Sequence, residues 1–90
     1  MNTVQIDPSL ALLLQDEPFQ RHRLLVRVQQ ADDDTAQKLD SLGLEVLYRY
    51  RLVPSFAVVG PGESALKLLD CTWVCGIEAD QPVHTTTTSM

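Results

Sequence analysis

Six short segments with alternating strand and helix signals occupy most of this chain of 90 residues. The clearest is "RLLVRVQQ", in which Leu24, Val26 and Val28 fall on one face, the period of a half-buried strand. Strand signals also cover residues 44–52, 55–60 and 72–79, and helix signals cover residues 31–43 and 62–71. The predicted order is therefore strand, helix, strand, strand, helix, strand.

The two helix predictions rest on charge at the helix start and on apolar spacing. "ADDDTAQKLDSLG" opens with three acids that suit the positive end of a helix, and it stops at Gly43. Between these signals, Ala36, Leu39 and Leu42 recur every three residues. "GESALKLLDC" carries Glu63 in its first turn and a Leu-rich apolar side. Both segments are thus predicted to be short amphipathic helices.

This order is typical of the α+β class, and specifically of the ferredoxin-like βαββαβ arrangement. In that arrangement a four-stranded antiparallel sheet carries both helices on one face and leaves the other face open. The length and an apolar content of 44% predict a single domain. We divide the chain into a leader over residues 1–22, with a short helix over 8–15, a domain over residues 23–80, and an extended tail over residues 81–90.

Charge and hydropathy exclude several kinds of partner. The net charge of −5 argues against binding to nucleic acid or to anionic membranes, which require clustered Lys and Arg. No stretch reaches the roughly 18–20 apolar residues of a membrane span, and the N-terminus lacks the pattern of a secretion signal. The sequence therefore predicts a cytoplasmic protein.

No cofactor, metal or catalytic activity is predicted. Cys71 and Cys75 would lie about 13 Å apart on an extended segment, too far for a disulfide, and we interpret them as reduced thiols. Adding His22 and His84 gives four possible ligands, but the spacing of the cysteines is not that of zinc sites. The acids at 32–34 are explained more simply as helix caps. The histidines lie in the leader and the tail, and the sequence has no phosphate loop or nucleophile elbow.

An open sheet face would also be compatible with RNA binding. Strand alternation would let Arg27, Arg49 and Arg51 share that face. RNA-binding sheets of this kind need stacking rings on their central strands, whereas Phe56 stands alone and Leu25 is not aromatic. The arginines are therefore predicted to form a solvated or acid-paired face.

The segment "ALKLLDCTWVCGIEADQPVHT" carries a family resemblance. It resembles the C-terminal half of the inhibitor domains that form the propeptides of subtilisin-like serine proteases, and of the free-standing inhibitors related to them. The family pattern is a helix rich in Leu and Ala, a short turn, a Val, two residues, and Ile-Glu-x-Asp. The matching residues are Val74, Ile77, Glu78 and Asp80, and the earlier segment "YRYRLVPSFAVV" is similar through Tyr50, Phe56 and Ala57.

The resemblance covers residues 23–86 and implies a protein inhibitor, or chaperone-like partner, of a subtilisin-like serine protease. No protease domain follows Met90, which favours a free-standing inhibitor. In the relatives, the open sheet face packs on two surface helices of the protease, and acids matching Glu78 and Asp80 cap the N-termini of those helices. The chain beyond then enters the substrate cleft as an added strand, in the position of a cleaved product.

By this alignment Thr86 fills the primary specificity pocket and Val83 fills the apolar pocket three residues earlier. Pro82 disfavours a helix and the β-branched residues favour an extended tail. The implied protease-binding residues are Phe56, Glu78, Asp80, Pro82, Val83, His84, Thr85 and Thr86.

Without the resemblance, the two acids would be exposed residues ending a strand and the tail an unanchored terminus. The free protein is predicted to be monomeric. The alternative function is a noncatalytic ferredoxin-like interaction or regulatory module, whose open face pairs with itself or with another protein. Removing residues 81–90 discriminates the two, because self-association through the sheet should survive.

Overall fold

The structure is a computed structural model that describes residues 4–80. Its strands are β1 (Gln5–Ile6), β2 (Arg21–Val28), β3 (Glu45–Tyr50), β4 (Ser55–Pro61) and β5 (Val74–Ala79). Its helices are α1 (Pro8–Asp16), α2 (Asp33–Ser41) and α3 (Gly62–Lys67), and a 3₁₀ turn (Leu68–Asp70) follows α3. The strands form one sheet in the order β1, β5, β2, β4, β3.

The predicted α+β class is confirmed, but the predicted four-stranded antiparallel ferredoxin-like sheet is wrong. β1 adds a fifth strand, and it pairs in parallel with β5, which makes the sheet mixed. The other neighbouring strands, β5 with β2, β2 with β4, and β4 with β3, are antiparallel. A strand of two residues carries no alternation signal, so the sequence pattern does not predict β1.

One face of the sheet carries the core. Leu24 and Val26 on β2 are fully buried, and they pair across the sheet with Val58, Phe56 and Ile77 on the neighbouring strands. The helices bury apolar side chains against the same face, namely Leu10, Leu14, Leu39, Ala65 and Leu68. Within residues 4–80 no helix is both long enough and apolar enough to span a membrane. The opposite face of the sheet carries charged, aromatic, small and aliphatic side chains, the last including Leu25.

Residues 4–20 are built into this core. The Asp7 carboxylate accepts a hydrogen bond at the start of α1 and Pro8 takes the first helical position, as predicted for the leader helix. Leu10 and Leu14 join the core, and Leu14 has no exposed surface. β1 meanwhile covers the edge of β5 that would otherwise present unpaired backbone groups. The leader and residues 23–80 thus share one core and one sheet.

The acidic run before α2 acts mainly as a helix start. Asp32 Oδ1 accepts hydrogen bonds from the Thr35 backbone N (2.9 Å) and hydroxyl (2.7 Å), the geometry of an N-cap. These two hydrogen bonds from Thr35 hold the pKa of Asp32 below its ordinary value. The other two acids form ion pairs, Asp33 with Arg49 and Asp34 with Lys38.

We expect the Asp32 cap to make stability depend on pH. Because the folded-state pKa is lowered, the ionised cap contributes stability above the unfolded pKa of about 3.9, and this contribution is lost as the pH falls through the folded pKa. Urea unfolding of the wild type and Asp32→Ala should therefore differ at pH 6 and converge in acid. Asp32→Asn keeps a neutral cap, so its advantage over Asp32→Ala should not change with pH. A difference between the wild type and Asp32→Ala that persists unchanged in acid would contradict the assignment.

Candidate functional site

The face of the sheet opposite the described helices, here called the sheet face, is built around β2. Every second residue of β2 lies on this face, because the residues between them point into the core. The residues on the sheet face are Arg21, Arg23, Leu25 and Arg27. Each arginine forms an ion pair with an acid on, or just beyond, another strand. The pairs are Arg21 Nη2 with Glu45 Oε1 (3.4 Å), Arg23 Nη2 with Asp80 Oδ2 (3.4 Å) and Arg27 Nε with Glu78 Oε2 (3.0 Å).

These three pairs carry no net charge among themselves, and Arg51 adds a positive charge to this face just beyond β3. Three arginines and three acids cancel, and the remaining four basic and nine acidic side chains account for the whole net charge of −5. Exposed ion pairs contribute little to stability, but here they offset the field of an otherwise acidic protein. The sheet face is therefore less acidic than the rest of the protein.

Arg27 is held near the centre of the sheet face. Its Nε lies 3.0 Å from Glu78 Oε2, yet this buried N–H aligns with no acceptor among residues 4–80, so the contact is an ion pair without a well-formed hydrogen bond. Its Nη2 reaches Gln5 Oε1 at 3.5 Å. Gly76 makes room for the guanidinium group, because a Cβ there would lie 2.5 Å from Nη2. Arg27 thus lies against β5 and holds Glu78 from one side.

Glu78 and Asp80, the two acids predicted to contact a protease, lie together on the sheet face at the end of β5. Residues two apart on a strand point to the same side. The Asp80 backbone N donates to Arg23 O at 3.0 Å, so strand pairing continues to the last described residue. The Glu78 side chain is 54% exposed and that of Asp80 is 29% exposed. Both carboxylates remain accessible although each has an arginine partner.

Phe56 lies on the other side of the sheet. It pairs with Val26, points toward the helices and is 0% exposed. A side chain in this position cannot touch a docked protein, so the prediction that Phe56 contacts a protease is wrong and its role is to pack the core. The predicted tail residues Pro82, Val83, His84, Thr85 and Thr86 lie outside the described residues.

A β-bulge at Leu47 decides which side chains of β3 reach the sheet face. Val46, before the bulge, pairs with a core position of β4, whereas Tyr48, after it, pairs with a sheet-face position. The extra residue shifts the alternation by one. Tyr48 and Tyr50 therefore both point outward, where their rings form a T-shaped pair with centroids 4.7 Å apart.

The same bulge turns Arg49 away from the sheet face. Its guanidinium group lies 5.7 Å from the ring centroid of Phe56 and binds the Asp33 carboxylate on the helix side. The prediction that Arg49 shares a face with Arg27 is therefore wrong. Removing this arginine from the face and adding two tyrosines makes the surface less basic and more apolar than alternation alone predicts.

A groove of about 580 Å³, here called the sheet-face groove, opens beside the tyrosine pair. The apolar residues that line it are Leu25, Tyr48, Tyr50, Leu52 and Val53. Leu52 is 101% exposed, and Tyr48 and Val53 are each 60% exposed. The charged residues of the lining are Arg27, Arg49, Arg51 and Glu78. Large apolar side chains are thus exposed next to one of the two acids that the sequence singles out.

Of the two cysteines, Cys71 is half-buried and Cys75 is exposed. Both are free, and Cys71 lies at the edge of the core, where its thiol is 3.5 Å from Lys67 O. Burial, and secondarily the charge of Asp70, raises the pKa of Cys71, which favours the unreactive thiol over the thiolate. Within residues 4–80 no group of three or more His, Cys, Asp or Glu side chains is placed to hold a metal ion.

Comparison with known proteins does not place the chain in a family. No family model, curated protein or solved structure matches it. The paired acids at the end of β5 and the adjoining groove are therefore the features from which a function can be inferred.

Proposed function

We propose that this protein is a noncatalytic inhibitor, or chaperone-like partner, of a subtilisin-like serine protease. The sheet face docks on the protease, and residues 81–90 enter the substrate cleft in a product-like manner. The observation that carries this proposal is the position of Glu78 and Asp80. They lie side by side on the face that the helices leave uncovered, at the end of the strand that leads into the tail.

The chemistry of these acids fits the capping of partner helices. The first four N–H groups of a helix lack intrahelical partners and carry a partial positive charge, so carboxylates bind there favourably. A carboxylate oxygen has more than one lone pair, so Glu78 can accept from a partner helix while it stays beside Arg27. Arg27 and Arg23 therefore orient the two acids without neutralising their ability to accept hydrogen bonds.

The composition of the tail fits the second half of the proposal. Pro82 and the β-branched Val83 and Thr85 favour extended backbone, which can pair as an added strand in a protease cleft. In this proposal Thr86 occupies the primary specificity pocket. The free inhibitor is a monomer, and its two free thiols are compatible with the cytoplasmic location that the sequence predicts.

The second candidate is a noncatalytic interaction or regulatory module. The exposed apolar side chains at the sheet-face groove favour it, because contiguous exposed apolar surface commonly marks a protein interface. Such a module would use the sheet face without needing the tail. Dependence of binding on residues 81–90 separates the two functions.

Neutralising the two acids should weaken inhibition. We expect Glu78→Gln and Asp80→Asn each to raise the inhibition constant roughly fivefold, since a charge at a helix N-terminus is worth about 1 kcal/mol. The measurement is a titration of each variant into a subtilisin-like protease assayed on a chromogenic peptide. Thermal unfolding should change little, because the two ion pairs are exposed.

Asp34→Asn is the matched control for this experiment. Asp34 is also an exposed acid with a basic partner, Lys38, but it lies on α2, on the helix side of the sheet. Its neutralisation should leave the inhibition constant within about twofold. An equal effect of all three substitutions would show that net charge, and not helix capping, drives binding.

A further inference from the structure

Exposed apolar side chains are concentrated in residues 47–53, which comprise the second half of β3 and the residues directly after it. Within residues 4–80, eight large apolar side chains are exposed, and five of them lie in this stretch: Leu47, Tyr48, Tyr50, Leu52 and Val53. All of these except Leu47 line the sheet-face groove. Contiguous exposed apolar surface of this kind commonly marks a site that a partner covers.

The same stretch carries an arginine that forms no ion pair within residues 4–80. The other arginines each have an acidic partner, namely Arg21, Arg23, Arg27 and Arg49. Arg51 is exposed and lines the groove. The lining thus has three arginines against one acid, Glu78, in a protein whose net charge is −5. Charge complementarity therefore favours an occupant that brings an acidic group to Arg51.

The position of β3 in the sheet fits an extended occupant. β3 is an end strand, so one of its edges has no strand partner among the described residues. Along this strand Tyr48 and Tyr50 point to the sheet face, whereas Arg49 points to the helix side. A segment laid along such an edge alternates in the same way, and its side chains meet those of β3 on each face. Apolar residues pair best with the tyrosines, and acidic residues pair best with the arginines.

Two other occupants fit this surface less well. Residues 47–53 contain two arginines and no acid, so a second copy of the chain would bring like charges together within the stretch. Nucleic acid is disfavoured because the protein as a whole is acidic. The bulge at Leu47 also interrupts the strand, so that only the residues after it can pair regularly with an added segment. The occupant that remains is a short acidic segment.

We propose that residues 47–53 and the sheet-face groove form a docking surface for a short extended segment of a partner protein, in which apolar and acidic residues alternate. The apolar side chains of the segment cover the tyrosine rings and Leu52, and one of its carboxylates pairs with Arg51. This site goes beyond the proposed function and does not rest on it, because the site needs neither a protease nor residues 81–90.

The test titrates a probe peptide into the full 90-residue chain and follows backbone amide chemical shifts by NMR. The probe is an acetylated and amidated hexapeptide in which Val and Glu alternate. Saturable shifts should be concentrated at residues 47–53. Arg51→Glu should raise the dissociation constant about tenfold, because attraction becomes repulsion, and Leu52→Ala should raise it about fivefold. Both side chains are exposed, so thermal unfolding should be almost unchanged.

Lys67→Glu is the matched control. Lys67 is also exposed and forms no ion pair within residues 4–80, but it lies on α3, on the helix side of the sheet. The control changes the net charge as much as Arg51→Glu does, and it should leave the dissociation constant within about twofold. A second probe with Gln in place of Glu should bind about tenfold more weakly than the acidic probe.

Absence of saturable binding by the acidic probe would overturn the docking surface, as would equal losses in Arg51→Glu and Lys67→Glu. Tighter binding of a single-stranded oligouridylate at residues 47–53 would replace the acidic segment with RNA. Sedimentation of the free chain as a dimer that Arg51→Glu dissociates would instead identify a second copy as the occupant. None of these outcomes bears on protease inhibition, so the proposed function stands or fails separately.

Discussion

Ending the chain at Asp80 is expected to raise the inhibition constant by about a hundredfold or more. In the proposed complex, residues 81–90 supply the strand in the substrate cleft and the side chains in two specificity pockets, and a loss of about 3 kcal/mol of binding corresponds to two orders of magnitude. The fold should be retained, because residues 4–80 form the sheet and the core that the structure describes. The measurements are inhibition constants and thermal unfolding curves of both chains.

A chain that ends at Thr86 is the control for this truncation. It keeps the residues assigned to the cleft and removes only the last four, so it should inhibit about as well as the full chain. If the chain ending at Asp80 bound its protease as tightly as the full chain, the interaction-module function would be favoured over the inhibitor.

The second large effect concerns the leader. Leu14→Ala should destabilise the protein by about 2–5 kcal/mol, because Leu14 is fully buried in the shared core and its truncation leaves a cavity. The total free energy of unfolding of a small domain is only about 5–15 kcal/mol. Part of the Leu14→Ala population should therefore be unfolded at about 37 °C. Urea unfolding followed by far-UV circular dichroism measures the change.

Leu12→Ala provides the comparison within the same helix. It makes the same chemical change two residues away, at a side chain that is 60% exposed, and should alter the free energy of unfolding by less than about 0.5 kcal/mol. Equal and small effects at both positions would mean that α1 does not contribute to the stability of the core.

Much of the fold is predictable because strong local signals agree with the tertiary structure. The alternation in "RLLVRVQQ" does mark the central strand, although the strand begins two residues earlier than predicted, at Arg21. The acids at 32–34 mark the start of α2, where Asp32 forms the cap. Asp7 and Pro8 likewise mark the start of α1. In each case one short stretch contains the whole signal.

The features that the pattern does not predict depend on partners far along the chain. β1 exists because the edge of β5 is available to it, and two residues contain no periodicity of their own. The bulge at Leu47 exchanges the faces of Arg49 and the two tyrosines, and nothing in the local apolar pattern requires it. Residues 55–58 are all buried, so hydropathy cannot tell which face Phe56 takes.

The candidate site likewise contains features that the local sequence predicts and features that it does not. The acids at the end of β5 are predictable because they directly follow a buried strand residue, Ile77, and alternation then places Glu78 on the opposite face. The groove beside them is not predictable from the sequence, because it forms only where the bulge, the turn after β3 and the central strand meet.

The most direct test of the central claim is a titration of the purified 90-residue chain into a panel of subtilisin-like proteases assayed on a chromogenic peptide. We predict saturable inhibition at one-to-one stoichiometry for at least one protease, with a raised apparent KM and an unchanged kcat, because the tail and the substrate would occupy the same cleft. Degradation of the chain without any slowing of peptide cleavage, across the whole panel, would contradict the account.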